Sequence, residues 1–318
     1  MEIQARRRRQ RTYYYLTHSY RQGGNVRKIE RYLGTTKPLD VEPLKAELRN
    51  ELFSQQLEPA LARSRRMYVS NVRKMPKAIR RKELETFATQ FTYDSNRIEG
   101  SSLTLRETAL LLVDGVTPSN RPLTDVQETL AHQKVFLDAL RRTPTLSLDS
   151  LLGWHSELFR TTKPWLAGKI RNYGVRIAGS NFVPPTPIEL DFLLQDFFTW
   201  LKGAWKNLHP VLLAGLVHLK LVTIHPFGDG NGRVTRIAMN CVLYRKQYPM
   251  IDIPYSRRAS YYRALEQSQL GKDDTAFTRW FLRRYLEQNG RSVPVERPSR
   301  GDTRNARKSS RVQDSLRR

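Results

Sequence analysis

Apolar positions are spread unevenly along the 318 residues. From Val211 to Ile224 they crowd together with few polar interruptions, and from Ile237 to Tyr244 they do so again. A helix that is apolar all round is a buried one, so both segments predict core helices. The polar, glycine-rich stretch between them, 225–236, predicts a helix–loop–helix turn with Gly230, Asn231 and Gly232 at the mouth of the second helix. Near the N-terminus the period changes. Tyr13–Tyr20 and Val26–Leu33 are β-rich stretches around Gln22-Gly23-Gly24-Asn25 and predict a hairpin. A shorter alternation follows later. Val175 and Ile177 alternate with polar neighbours, Gly179-Ser180-Asn181 turns, and Phe182 and Val183 follow, which predicts a second, short hairpin.

The pattern divides the chain into four parts: an aromatic hairpin at 1–36, a helical region at 37–119, a helical core at 120–289, and a tail at 290–318. Pro59 and Pro76 are expected breaks in the helical region. The tail is rich in Arg, Ser and Pro without apolar periodicity, and reads as disordered. No internal repeat is visible.

Composition narrows the class. An apolar content of 39% suffices for a core. No apolar run approaches the roughly 18 residues that a spanning helix needs, so no membrane span is expected. The N-terminus is basic, then aromatic and polar, unlike a secretory signal. Cys241 is the single cysteine and reads as a packed core thiol; a reducing cytoplasm fits. The net charge of +25 comes partly from Arg6–Arg9 and from Arg304, Arg307, Lys308, Arg311, Arg317 and Arg318, and otherwise from runs such as Arg63–Arg66 and Lys77–Lys82. Such a surface suits anionic partners. Tyr13, Tyr14, Tyr15 and Tyr20, set among basic residues, could stack on nucleic-acid bases, or could simply pack on one another.

The turn carries the chemistry. Residues 225–236 read His-Pro-Phe-Gly-Asp-Gly-Asn-Gly-Arg-Val-Thr-Arg. A helix start attracts phosphate through its unpaired N–H groups and dipole. Glycines let the backbone form an anion-binding nest. Arg233 and Arg236, three apart, share a helix face and can reach phosphate oxygens with planar forks. Asp229 is a hard oxygen ligand suited to Mg²⁺. His225 is the one side chain here whose unperturbed pKa lies near neutrality, as a general base requires. The other histidines form no metal spacing; His18, His132 and His155 stand alone, His209 opens a helix, and His218 reads as structural.

Taken whole, the run matches HxFx[D/E]GNGRxxR at every fixed position, and here the chain resembles the Fic family. The resemblance implies an all-α Fic-type bundle with a short β-hairpin flap, to which this chain adds its N-terminal hairpin. It implies transfer of a nucleotide monophosphate, usually AMP from ATP, to a Ser, Thr or Tyr hydroxyl of a target protein. By position, His225 would be the base and Asp229 the Mg²⁺ ligand. Gly230, Asn231 and Gly232 would form the anion hole, flanked by Phe227 and Gly228. Arg233 would contact the β/γ-phosphates and Arg236 would orient the γ-phosphate. Fic-related kinases carry Lys where this chain has Gly232.

Two further segments fit the family. Ser95-Asn-Arg-Ile-Glu99-Gly100 fits the inhibitory pattern [S/T]xxxE[G/N]. There the resemblance implies that Glu99 pairs with Arg236 and keeps ATP in an unproductive pose. Without the family, Ser95 to Gly100 reads as a helix end with a glycine cap. Val175, Arg176, Ile177, Phe182 and Val183 correspond to the flap, whose edge would pair with the target chain. Tyr262 is the candidate for the adenine pocket. Removal of AMP, or use of UMP or another nucleotide, are alternatives on the same site. A nucleic-acid-binding regulator acting through the basic flanks is an alternative of another class, and a homodimer stays open.

Overall fold

The computed structural model describes residues 1–22, 25–38, 40–41, 44–45, 48, 52, 57–142 and 145–290. Apart from Gly290, the tail lies outside the described residues. The molecule is mostly helical with one small antiparallel sheet.

The sheet has three strands rather than the two of a hairpin: β1 (Glu2–Arg8), β2 (Arg11–Gln22) and β3 (Asn25–Gly34), in the order β1-β2-β3. Gln22 pairs with Asn25, and the expected turn residues Gly23 and Gly24 lie outside the described residues. β1 is the addition. Its arginine run hides the period-2 alternation, yet Arg8 pairs with Arg11 across a two-residue turn in which Arg9 has φ 54°. One face of the sheet buries Leu16 against Leu48 and Leu52. The other gathers Tyr13, Tyr15 and Tyr32, with the Arg6 guanidinium 4.6 Å from the Tyr15 ring centre.

Helices follow. Pro59 does not break α1 (Glu58–Lys74); it sits in the first turn, where the missing N–H costs nothing. Pro76 does separate α1 from α2 (Lys77–Ile98). Next come α3 (Leu105–Val113) behind a Thr104/Glu107 capping box, and α4 (Leu123–Arg142). α5 (Leu148–Phe159) and α6 (Leu190–Asn207) precede the two predicted core helices, α7 (Pro210–Ile224) and α8 (Asn231–Arg245). α9 (Arg258–Gly271) and α10 (Thr275–Asn289) close the fold.

α7 is the central post, buried on nearly every side against α6, α8 and α10. Gly215 makes the α10 contact possible, because a Cβ there would stand 2.7 Å from the Phe281 ring. Cys241 is buried in α8, as a packed thiol should be. α2 lies across the start of α8, which brings residues 95–99 to the predicted turn. No helix among the described residues is long and apolar enough to cross a membrane.

The flap segment departs from expectation. Ile177 and Ser180 close a turn (3.2 Å) with Gly179 at φ 75°, but residues 172–186 form no strand pairing. Side chains take the backbone groups that a ladder would use. The Asn181 N–H donates to Glu266 of α9 (2.6 Å), and the Tyr173 and Pro185 carbonyls accept from Arg171 (2.9 and 2.6 Å).

Candidate active site

The turn between α7 and α8 is held by its own residues and by neighbours from far along the chain. His225 ends α7 in the left-handed region (φ 54°, ψ 57°), a conformation that costs a non-glycine residue roughly 1–2 kcal/mol. Its imidazole Nδ1 lies 3.1 Å from the Val222 carbonyl. A carbonyl only accepts, so Nδ1 carries the proton and Nε2 keeps its lone pair. Burial lowers the His225 pKa below its ordinary value, so the ring is neutral at pH 7. The strained backbone thus presents a neutral imidazole with a free acceptor nitrogen.

Three side chains fix the rest of the turn. Buried Arg171 donates from Nε to the His225 carbonyl (2.9 Å) while its other nitrogens hold Tyr173 and Pro185, tying the flap base to the histidine. Asn231 folds back on Phe227, accepting from its N–H (2.9 Å) and donating to its carbonyl (2.8 Å). His155 stacks on the buried Phe227 ring at 4.0 Å and 7°. The Gly168 N–H donates to His155 Nδ1 (3.0 Å), so Nε2 is the protonated nitrogen and donates to the Asp229 carbonyl (3.1 Å). Burial pushes the His155 pKa down to about 4. Gly230 is required twice over: φ is 76°, and a Cβ would meet the Phe159 ring at 2.4 Å.

At the start of α8 the two arginines face different partners. Arg236 is 1% exposed. Its Nε donates to the Ser95 hydroxyl (2.9 Å), and Nη2 donates to the Ser95 carbonyl (3.0 Å) and the Glu99 carboxylate (2.7 Å). Burial alone would lower the Arg236 pKa, but Glu99 overrides it and the guanidinium stays charged. The same carboxylate lies over Gly232, where a Cβ would be 2.1 Å from Glu99 Oε1. A side chain at 232 would therefore displace the Glu99 carboxylate from this position. Glu99 caps α2 and Gly100 follows at φ 101°, so the glycine-capped helix end and the arginine partner are one structure.

Arg233 is nearly buried and pairs with Glu128 of α4, with Asp229 at 3.4 Å. Its Nε is buried with no hydrogen-bond partner. Asp229 is also bound by Lys163 (2.7 Å), which reaches Glu128 as well (3.2 Å). Burial would raise the Asp229 pKa, but Arg233 and Lys163 outweigh it and hold the carboxyl below its usual value. No cluster of three or more metal-ligating side chains occurs among the described residues. The protein would thus give Mg²⁺ one carboxylate, Asp229, which fits an ion that takes most of its ligands from phosphates and water.

Tyr262, half exposed, donates to the Ile98 carbonyl (3.1 Å) beside Glu99. In the flap, Val175, Ile177 and Phe182 are partly buried, while Arg176 and Val183 face outward. Sequence reasoning missed Lys163, Glu128, Arg171, Glu266 and the role of His155. The buried His218 agrees with its structural reading: the Tyr261 hydroxyl lies 2.9 Å from its Nε2.

One turn of this helical protein thus gathers a neutral histidine, a glycine-rich helix start and two buried arginines, groups that can bind phosphate beside a proton acceptor. Residues 145–243 match the model of the Fic/DOC family. The protein adenylyltransferase Fic of Drosophila willistoni is 33% identical over 212 residues, covering 65% of this chain and 42% of that protein. That of Drosophila grimshawi is 35% identical over 198 residues, covering 61% and 40%. The chain therefore spans about two fifths of the length of these relatives. A Fic domain-containing signaling protein from Bacteroides thetaiotaomicron aligns over its whole length with 74% of this chain (TM-score 0.63, 26% identity). C. elegans Fic-1 aligns with 80% of this chain over 77% of its own (TM-score 0.65, 25% identity). These neighbours share the helical Fic fold.

Proposed function

We propose that this chain transfers AMP from ATP to a Ser, Thr or Tyr hydroxyl of a target protein, and that Glu99 restrains the transfer. The hydroxyl oxygen attacks the α-phosphorus, its proton passes to Nε2 of His225, and the bond to pyrophosphate breaks. Arg233 and Arg236 receive the β- and γ-phosphates, and the backbone at Gly230–Gly232 receives the negative charge that builds up. Asp229 would hold Mg²⁺, which when bound neutralises phosphate charge. The flap, tied to His225 through Arg171, presents the target chain, and Tyr262 flanks the base. The observation that carries this reading is the Arg236–Glu99 pair at 2.7 Å: a guanidinium held by a carboxylate cannot also grip a γ-phosphate.

Labelled ATP, Mg²⁺ and a lysate test it, scored as protein-bound AMP. A weak signal is expected for the unaltered chain, a strong one for Glu99→Gly, and none for Glu99→Gly/His225→Ala. Silence in all three would overturn it in favour of another nucleotide such as UMP, or of AMP removal with Glu99 placing a water.

A second reading draws on the sheet. Tyr13, Tyr15 and Tyr32 lie together opposite the buried face, Tyr32 is 53% exposed, and Arg6 stacks over Tyr15. Such a face suits single-stranded nucleic acid. If it is used, oligonucleotide binding is salt-sensitive, survives His225→Ala, and falls in a chain lacking residues 1–36. Affinity unchanged by that deletion would end this reading.

A further inference from the structure

Lys163 stands where the proposed chemistry needs a cation, although it belongs to no part of the glycine-rich run. It lies in the turn after α5, four residues beyond Phe159. Its backbone is fixed from both sides: its N–H donates to the Phe159 carbonyl (2.8 Å), and its carbonyl accepts from Leu166 and Ala167 (3.0 and 3.2 Å). Its ammonium is 2.7 Å from Asp229 Oδ2, 3.2 Å from Glu128 Oε1 and 5.0 Å from the Phe159 ring centre. Asp229 Oδ1 is occupied in turn by the Gly230 N–H (2.5 Å) and Arg233 (3.4 Å). Both oxygens of the carboxylate proposed to take a divalent ion are thus already engaged.

The four charges balance: Lys163 and Arg233 against Glu128 and Asp229. A divalent ion at Asp229 would upset that balance unless a cation left. Lys163 is the one able to leave. Its side chain is 30% exposed against 5% for Arg233, its stem is flexible, and Glu128 already accepts it. Glu128 in turn is steadied by the Thr162 hydroxyl (3.0 Å) and by Arg233.

We propose that Lys163 is the resident cation of the metal subsite: it neutralises Asp229 in the resting protein and moves fully onto Glu128 when a divalent ion takes that carboxylate. This rests on the adenylyl-transfer reading and adds to it a positioning residue that sets metal affinity. Glu99 restrains the Arg236 side of the turn, and Lys163 acts independently on the Asp229 side.

The test titrates Mn²⁺ into the full chain carrying Glu99→Gly and bound to a non-hydrolysable ATP analogue, following the Mn²⁺ paramagnetic resonance signal. Affinity for the metal-free analogue is measured separately. Lys163→Met keeps the stem and removes the competing charge, so Mn²⁺ should bind about tenfold tighter or more, as expected for deleting a like charge within a few ångströms. Lys163→Arg keeps a charge there and should stay near the parent. Thermal unfolding checks that both variants fold. If Lys163→Met leaves Mn²⁺ affinity within twofold, or weakens it, the competition is refuted. If the analogue fails to bind even the Glu99→Gly chain, the adenylyl-transfer reading itself falls and takes this proposal with it. Analogue binding with unmoved Mn²⁺ affinity sinks this proposal alone.

Discussion

Arg233 and Arg236 sit three residues apart at the start of one helix, both nearly buried, both paired with a carboxylate from another helix. The surroundings differ. Arg236 is held by Ser95 and by the Glu99 carboxylate, which lie within five residues at the end of α2. Arg233 belongs to a four-charge cluster drawn from α4, the turn after α5, and the glycine-rich turn. A clasp closed by a single carboxylate can be opened by one substitution or one displaced helix end. A balanced cluster yields by internal exchange. The same residue type thus sits in a compact clasp on one side and in a four-charge network on the other.

The sharpest break of that contrast leaves both arginines intact and removes the proposed proton acceptor, His225. His225→Ala should lower AMP transfer by about 10²–10⁴-fold, the usual contribution of general base catalysis, with nucleotide affinity little changed. A drop confined to affinity would place His225 in binding rather than chemistry. Next in size is the clasp itself. Glu99→Gly should raise transfer and, by leaving a buried guanidinium with fewer partners, lower the thermal midpoint until nucleotide is added. Unchanged stability with raised activity would mean that Ser95 alone satisfies Arg236.

A structural probe comes third. Gly230→Ala imposes positive φ on a side chain and drives a methyl into Phe159, so a loss of roughly 1–3 kcal/mol in urea unfolding is expected, with both arginine sites impaired together. Impairment at one site alone would show that the turn does not act as a unit. The smallest effect is set by pH. His155 and His218 have folded pKa values near 4 and 3, below the ordinary 6.5, because burial disfavours the charged ring. Each is neutral when folded and takes up a proton more readily when unfolded. Their contribution is therefore present above pH 6.5 and declines as pH falls toward 4. The thermal midpoint should drop across that window, and His155→Gln should flatten the drop.

Legibility in the sequence followed locality. Residues 225–236 could be read because their pattern is continuous along the chain: the left-handed His225, the Asn231–Phe227 pairing and Gly230 at φ 76° lie within seven residues. α7 and α8 were legible because continuous apolar runs have one outcome in a fold of this size. Glu99 was reachable only because a second short pattern marked it. Lys163, Glu128 and Arg171 could not be singled out. Each is one charged residue in a chain with 55 Lys and Arg and 30 Asp and Glu, and their contacts to the glycine-rich turn span 54 to 105 residues. β1 was masked by its arginines. The flap's missing strand pairing follows from Arg171 and Glu266, which alternation in the flap cannot reveal.

The most direct measurement compares initial rates of protein-bound AMP formation for the unaltered chain, Glu99→Gln and Glu99→Gly under one set of conditions. Glutamine keeps the shape over Gly232 but removes the charge that holds Arg236; glycine removes both. If the pairing with Arg236 restrains transfer, both variants exceed the unaltered chain and Glu99→Gly is the faster. Rates for both variants at or below that of the unaltered chain would contradict the clasp.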